Sequence, residues 1–242
     1  MKLNREEFQK YIYSYNEDEI FYKTLYLQEK EHPETFHDYC LTLDRKQIYE
    51  HRLYVPELQT EAWYPYMKET DLFHDINGNI VLSKHYRYTP VFPHEHEFFE
   101  ILCLYDGTAH TAIQGIEHTL HTGDICIIPP HTTHSVGIFD DSVAFNILVR
   151  GSTFQSTFFQ SLTADSALTQ FFAHVLYRKT EGNYLIFHSG NDAQIHDMLE
   201  NLYIEYLGHA KYSCTFLNSM LVMFWAMLLR FHENDIESIL TK

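Results

Sequence analysis

The run Phe92-Pro93-His94-Glu95-His96-Glu97-Phe98-Phe99-Glu100 decides how this chain is read. Side chains alternate between the faces of a strand, so an extended backbone points His94, His96, Phe98, Glu100 and Leu102 the same way. Two imidazoles and a carboxylate on one face can meet a single cation, and that donor set suits Zn, Fe, Mn or Ni. Downstream, Gly123 is followed by Pro129 and then by His134 at the start of another strand pattern. In a closed barrel, His134 would face the first three as a fourth ligand. An HxH pair alone means little in a chain with 17 His. Glu100, Gly107, Gly123, Pro129 and His134 at ordered spacings, within one strand-rich segment, make coincidence improbable.

Around this run the hydrophobic period is two. After the turn pair Asn77-Gly78, the extended stretches are Asn79 to Tyr88, Phe98 to Tyr105, Thr108 to Ile113, Ile116 to Leu120, Ile125 to Ile128, His134 to Phe139 and Ser142 to Val149. Turn signals such as Asp106-Gly107, Gln114-Gly115, Pro129-Pro130 and Asp140-Asp141 separate them. Short strands at regular spacing with a turn at each join indicate a sandwich or barrel.

The flanks read as helix. Residues 1–70 form a mostly helical extension with Phe8, Ile12 and Tyr15 on one spacing, residues 71–150 the β-barrel, and residues 151–242 a second helical region. Helices are expected over Ser166 to Arg178, Asp192 to Leu207 and Tyr212 to His232, with a short strand over Asn183 to His188 and a cap from Ser189 and Asp192. The last helix places Phe216, Met220, Met223, Phe224, Met227 and Phe231 on one broad face, for the core or a subunit interface. Glu17-Asp18-Glu19 reads as a solvated helix end.

The chain carries 33 acidic residues against 17 Lys and Arg, a formal charge of −16, which repels phosphate backbones. Cys40, Cys103, Cys126 and Cys214 form no CxxC pair and read as free thiols in a reducing cytoplasm. The N-terminus leads into no signal-peptide pattern, and Phe216 to Phe231 reads as a buried helix rather than a membrane span. No GxSxG elbow or phosphate-cradling glycine loop occurs.

His94-x-His96-x-x-x-Glu100-x6-Gly107 resembles the first cupin motif, and Gly123-x5-Pro129 with His134 resembles most of the second. The resemblance implies an α+β, jelly-roll-like cupin barrel, with His94, His96, Glu100 and His134 at its metal-ligand positions for one divalent transition metal. Tyr88 and His131 stand where the motifs carry glycine, and Ile138 replaces the closing Asn. More narrowly, His-x-His-x-Phe-Phe-Glu-Ile and Gly-Asp-Ile-Cys-Ile-Ile-Pro-Pro-His-x-x-His resemble the N-terminal effector domain of AraC-type transcription regulators. That resemblance implies a small-molecule effector, a sugar being one candidate, and a homodimer joined through the C-terminal helices. It implies contact with DNA only through a helix-turn-helix module that nothing in these residues matches, so the chain reads as the sensor part alone. Tyr86, Phe98 and Tyr105 join the motif residues as expected effector contacts. The alternative is a metal-dependent cupin enzyme, a dioxygenase or sugar isomerase.

Overall fold

Asparagine capping boxes open both N-terminal helices. Asn4 accepts from the Glu7 N–H and Glu7 answers on the Asn4 N–H, opening α1 (Arg5–Tyr13). Asn16 and Glu19 repeat the device for α2 (Glu17–Glu31). Each box satisfies amides that a helix start leaves open. The computed structural model describes residues 3–59, 65–73, 78–154 and 184–238. Next come α3 (Phe36–Thr42), α4 (Arg45–Glu50), β1 (Tyr66–Met67), α5 (Glu69–Leu72) and β2 (Ile80–Lys84). The core strands are β3 (Glu95–His96), β4 (Phe99–Asp106), β5 (Thr108–Ile113), β6 (Ile116–His121), β7 (Asp124–Ile128), β8 (His134–Gly137) and β9 (Val143–Val149). The chain continues through α6 (Gly151–Thr153), β10 (Leu185–His188), α7 (Ala193–Gly208), α8 (Ser213–His232) and β11 (Ile236–Ser238). The helix expected over Ser166 to Arg178, and Asn77 of the turn pair, lie outside the described residues.

Most strands form a cupin-like pair of antiparallel sheets, while β1 and β3 pair separately in parallel, with Met67 opposite His96. A six-stranded sheet runs β11-β10-β7-β4-β9-β2 and a three-stranded sheet runs β6-β5-β8. Their inner faces pack Leu102, Leu104, Cys126, Ile128 and Ala144 against Ala109, Ile113, Leu120 and Val136. The expected jelly-roll-like cupin is built as two facing sheets: turns such as that at Gly107 carry the chain from one sheet to the other, and no ladder joins their edges among the described residues. The outer face of the large sheet, including Ile101, Cys103, Ile125, Ile127, Phe145 and Ile147, packs against α1, α7 and α8. Strand β4 is thus buried on both faces along nearly its whole length.

Several local expectations are refined. Asp192 alone caps α7, while Ser189 donates to the Gly123 carbonyl at 2.6 Å. Helix α8 buries Leu217, Met220, Leu221, Phe224, Trp225 and Leu228, a seam rotated from the expected face, leaving Phe216, Met223 and Phe231 exposed. By length and composition alone, Ser213–Asp235 is a stretch that could cross a membrane, yet its buried side lies on the sheet as a core helix does. At the sheet edge, the phenols of Tyr203 and Tyr206 on α7 lie against the backbone of Lys84 and Leu82 in β2.

Glu19 is fully buried, not solvated. It accepts from Lys84 Nζ at 2.7 Å and from Arg87 Nε at 2.8 Å, while the same cations reach the Ser14 carbonyl. The Arg87 guanidinium also stacks 3.6 Å from the Tyr15 ring centre. A carboxylate from α2 thereby ties the N-terminal helices to β2 and the turn after it. Burial pushes its carboxyl up, but Arg87 and Lys84 outweigh that and hold it below the ordinary range.

The motif glycines have steric reasons. Gly123 adopts φ +87°, and a Cβ there would lie 1.7 Å from the Gly190 carbonyl oxygen. Tyr88 and His131, which replace expected glycines, nevertheless keep the left-handed backbone, at φ +64° and +60°. The turn geometry persists at a cost that glycine would not incur.

Two outcomes follow. Glu19→Gln leaves Lys84 and Arg87 buried without a counter-charge and lowers unfolding free energy in urea by about 3 kcal/mol or more. In wild type this contribution is full above the unfolded carboxyl value and is lost as pH falls through the depressed folded one, a limb that Glu19→Gln lacks. His131→Gly relieves a strained position at an exposed turn and raises stability by about 0.5–1 kcal/mol; a decrease would show that the Tyr66–His131 stack outweighs the strain.

Candidate functional site

Backbone pairing brings the two motif stretches together. His94 and His134 exchange both main-chain hydrogen bonds, at 2.9 and 3.0 Å, as an antiparallel bridge. Their rings consequently sit with centroids 4.1 Å apart. The His96 carbonyl accepts from the His131 N–H at 2.9 Å, and its ring stacks on Phe98 at 4.4 Å. After a bend at Glu97 and Phe98, β4 brings Glu100 beneath the imidazoles. Its Oε2 lies 3.3 Å from His96 Nε2 and 3.6 Å from His134 Nε2.

Backbone carbonyls orient two of the rings. His94 Nδ1 faces the Phe92 carbonyl at 3.2 Å and His134 Nδ1 faces the Thr132 carbonyl at 2.9 Å. A ring nitrogen against a carbonyl oxygen is the protonated one, which leaves Nε2 as the atom free to coordinate. Candidate ligand atoms of His94, Glu100 and His134 lie within 4.8 Å of one another. His96 adjoins Glu100 but falls outside that trio. Both His96 nitrogens and His134 Nε2 are buried without a hydrogen-bond partner among the described residues. Orphaned imidazole nitrogens around a carboxylate fit a divalent transition metal.

Burial alone would raise the Glu100 carboxyl, but the facing His134 and His96 rings outweigh it and hold it well below its usual range. Burial also drives His94 down to about 3, with His134 adding to that effect and Glu100 opposing it. His96 and His85 are lowered by burial as well.

His94, Phe98 and Glu100 line a cavity of about 220 Å³, together with His85, Asn146 and Ser83. The last three carry no motif signature; they are found through strand register, since Ser83 pairs with Asn146 across β2 and β9. Tyr86 and Tyr105 do not join the cavity. Tyr86 follows His85 directly and turns outward, where it is exposed. Tyr105 has the opposite parity to Glu100 on β4, so it faces the helices, where its hydroxyl donates to Glu200 at 2.5 Å. His131 lies exposed in its turn, stacked on Tyr66. His110 and His121 are exposed, whereas His118 is partly buried beside the Tyr184 hydroxyl at 2.6 Å.

The family of AraC-like ligand binding domains matches residues 78–212, more than half of the chain and all of this cavity's motif residues. The chain belongs to that family. No curated protein matches this AraC-like chain. Among solved structures it is similar to KdgF from a Halomonas species, at 23% identity over 29% of this chain and 69% of that one, with a TM-score of 0.27. A cupin protein of Bacteroides fragilis matches at 23% identity over 30% of this chain and 67% of that one, TM-score 0.26. An apo variant of ToxT from Vibrio cholerae matches at 11% identity over 62% of this chain and 55% of that one, TM-score 0.44.

The histidine protonation balance of the AraC-like domain sets a pH dependence. A His lowered on folding favours the neutral form, so its contribution is complete above the unfolded value near 6.5 and falls as pH drops toward 3. Urea titrations between those limits should show a slope of up to about 1.4 kcal/mol per pH unit from this group, flattened in His94→Gln. An unchanged slope in the variant would place the ring in water.

Proposed function

We propose that this AraC-like domain is the ligand-sensing and dimerising portion of a transcription regulator, a binding module rather than a catalyst. The observation that carries this reading is the convergence of His94, Glu100 and His134, with His96 beside them, where His94 and Glu100 line a cavity. Effector binding there favours one arrangement of sheets and helices, a population shift that α7 and α8 pass to a partner subunit. A DNA-binding module joined to the chain would respond to that arrangement. His94, Glu100 and His134, supported by His96, would hold a divalent transition metal, which when bound offers a Lewis-acidic contact to an oxygen-bearing effector. Phe98 supplies an apolar wall to the same cavity.

Metal analysis of protein purified without a histidine tag tests the metal part. About one equivalent of transition metal is expected, lost in His134→Ala and Glu100→Gln, with affinity falling as pH drops because only neutral imidazole coordinates. Substoichiometric metal unaffected by either substitution would remove it. Thermal shift against fractionated cell metabolites tests the sensing part. An effector at a hundredfold excess over its Kd should stabilise the domain by about 2.7 kcal/mol, and no stabilisation from any fraction would refute it.

A further inference from the structure

Beside Glu100, on the neighbouring strands of the same sheet, stands a polar wall that belongs to neither motif. Ser83 ends two residues before His85, whose N–H donates to the Ala144 carbonyl at 2.9 Å, and Asn146 pairs with Ser83 in the β2–β9 register. All three line the cavity with Glu100. His85 Nε2 and Asn146 Oδ1 are buried with no hydrogen-bond partner among the described residues. A buried polar atom left unpaired costs about 1–3 kcal/mol. Two such atoms on neighbouring strands, facing one cavity, mark a place where an outside molecule supplies the partner.

Charge narrows the identity of that molecule. Glu100 brings a carboxylate to the cavity, and among the described residues no Lys or Arg lines it. Lys84, between Ser83 and His85, turns away to Glu19 at 2.7 Å. With no metal held at Glu100, an acidic ligand would be desolvated beside that carboxylate with no cation to meet it. Asn146 Oδ1 is an acceptor, so its partner must donate. The remaining lining, including Met67, Phe98 and Leu148, is apolar.

We infer that Ser83, His85 and Asn146 are the specificity-determining wall of this pocket and, in the metal-free domain, select a small, non-anionic molecule that presents a hydrogen-bond donor beside an apolar body. The inference rests on the ligand-binding reading above. Matched fragment pairs test it, each an aromatic or cycloalkyl alcohol or primary amide with its carboxylate counterpart. Binding to the full chain is measured by saturation-transfer NMR and calorimetry after dialysis against EDTA, which leaves the Glu100 charge unbalanced. Alcohols and amides should bind at least tenfold tighter than the matching acids. Asn146→Leu and His85→Phe should each weaken the best fragment about tenfold, the loss of one hydrogen bond. Asn146→Leu should do so with Tm unchanged or raised, because an orphaned polar atom is gone. Tighter binding of the acids overturns the ligand class. Wild-type affinity in both variants, with binding lost in Glu100→Gln, overturns the wall and leaves the ligand-binding reading standing. No fragment bound by wild type counts against both.

Discussion

The reciprocal main-chain pair between His94 and His134 is the constraint on which the site depends. Forty residues separate the two positions, and side-chain chemistry alone would not hold their imidazoles together. Two backbone hydrogen bonds do so, and they act irrespective of what occupies the cavity. Carbonyls of Phe92 and Thr132 then choose the tautomers, and the bend before β4 delivers Glu100 to the rings. Burial sets the electrostatics last. Each layer is cheap given the one beneath it, which is how a fold can keep orphaned imidazole nitrogens away from water.

Strand parity distributes the molecule's tasks. On β4 the even positions, Glu100, Leu102 and Leu104, face the cavity side, while Ile101, Cys103 and Tyr105 face the helices. On β2 and its continuation, Ser83 and His85 look inward and Lys84 outward to Glu19. Contacts at the pocket and at the helices are therefore one peptide unit apart on two different strands. The Glu19 carboxylate and the Tyr105–Glu200 hydrogen bond are the outer anchors of that arrangement.

Much of this was legible in the residues. The period-two runs and their glycine turns located every strand from β4 to β9 to within a residue or two at most ends, because alternation and turn chemistry are local. The His94, Glu100 and His134 positions followed from spacing for the same reason. Pairing between strands distant in sequence is not legible locally. Nothing local distinguishes Asn146 or His85 from any other polar strand residue; only the β2–β9 register brings them to the cavity. The burial of Glu19 has no local signal: a charge run at a helix start is normally solvated, and its cations lie more than sixty residues downstream. Tyr105 failed on parity: an aromatic near a motif is not on the motif's face. Strand spacing leaves sandwich and barrel both open, because hydrogen bonding between sheet edges is a tertiary outcome.

Strand β2 lies at one border of the six-stranded sheet, where unpaired amides invite any stray strand to zip on. Tyr203 and Tyr206, three residues apart on α7, set their phenols against alternate peptide units of that border. Helix α7 therefore works as a guard rail as well as a packing layer: it shields the sheet from templating intermolecular growth. Detaching it would create a sticky margin on the strand whose Ser83 borders the cavity, so one helix both covers the sheet's margin and backs the pocket's strand.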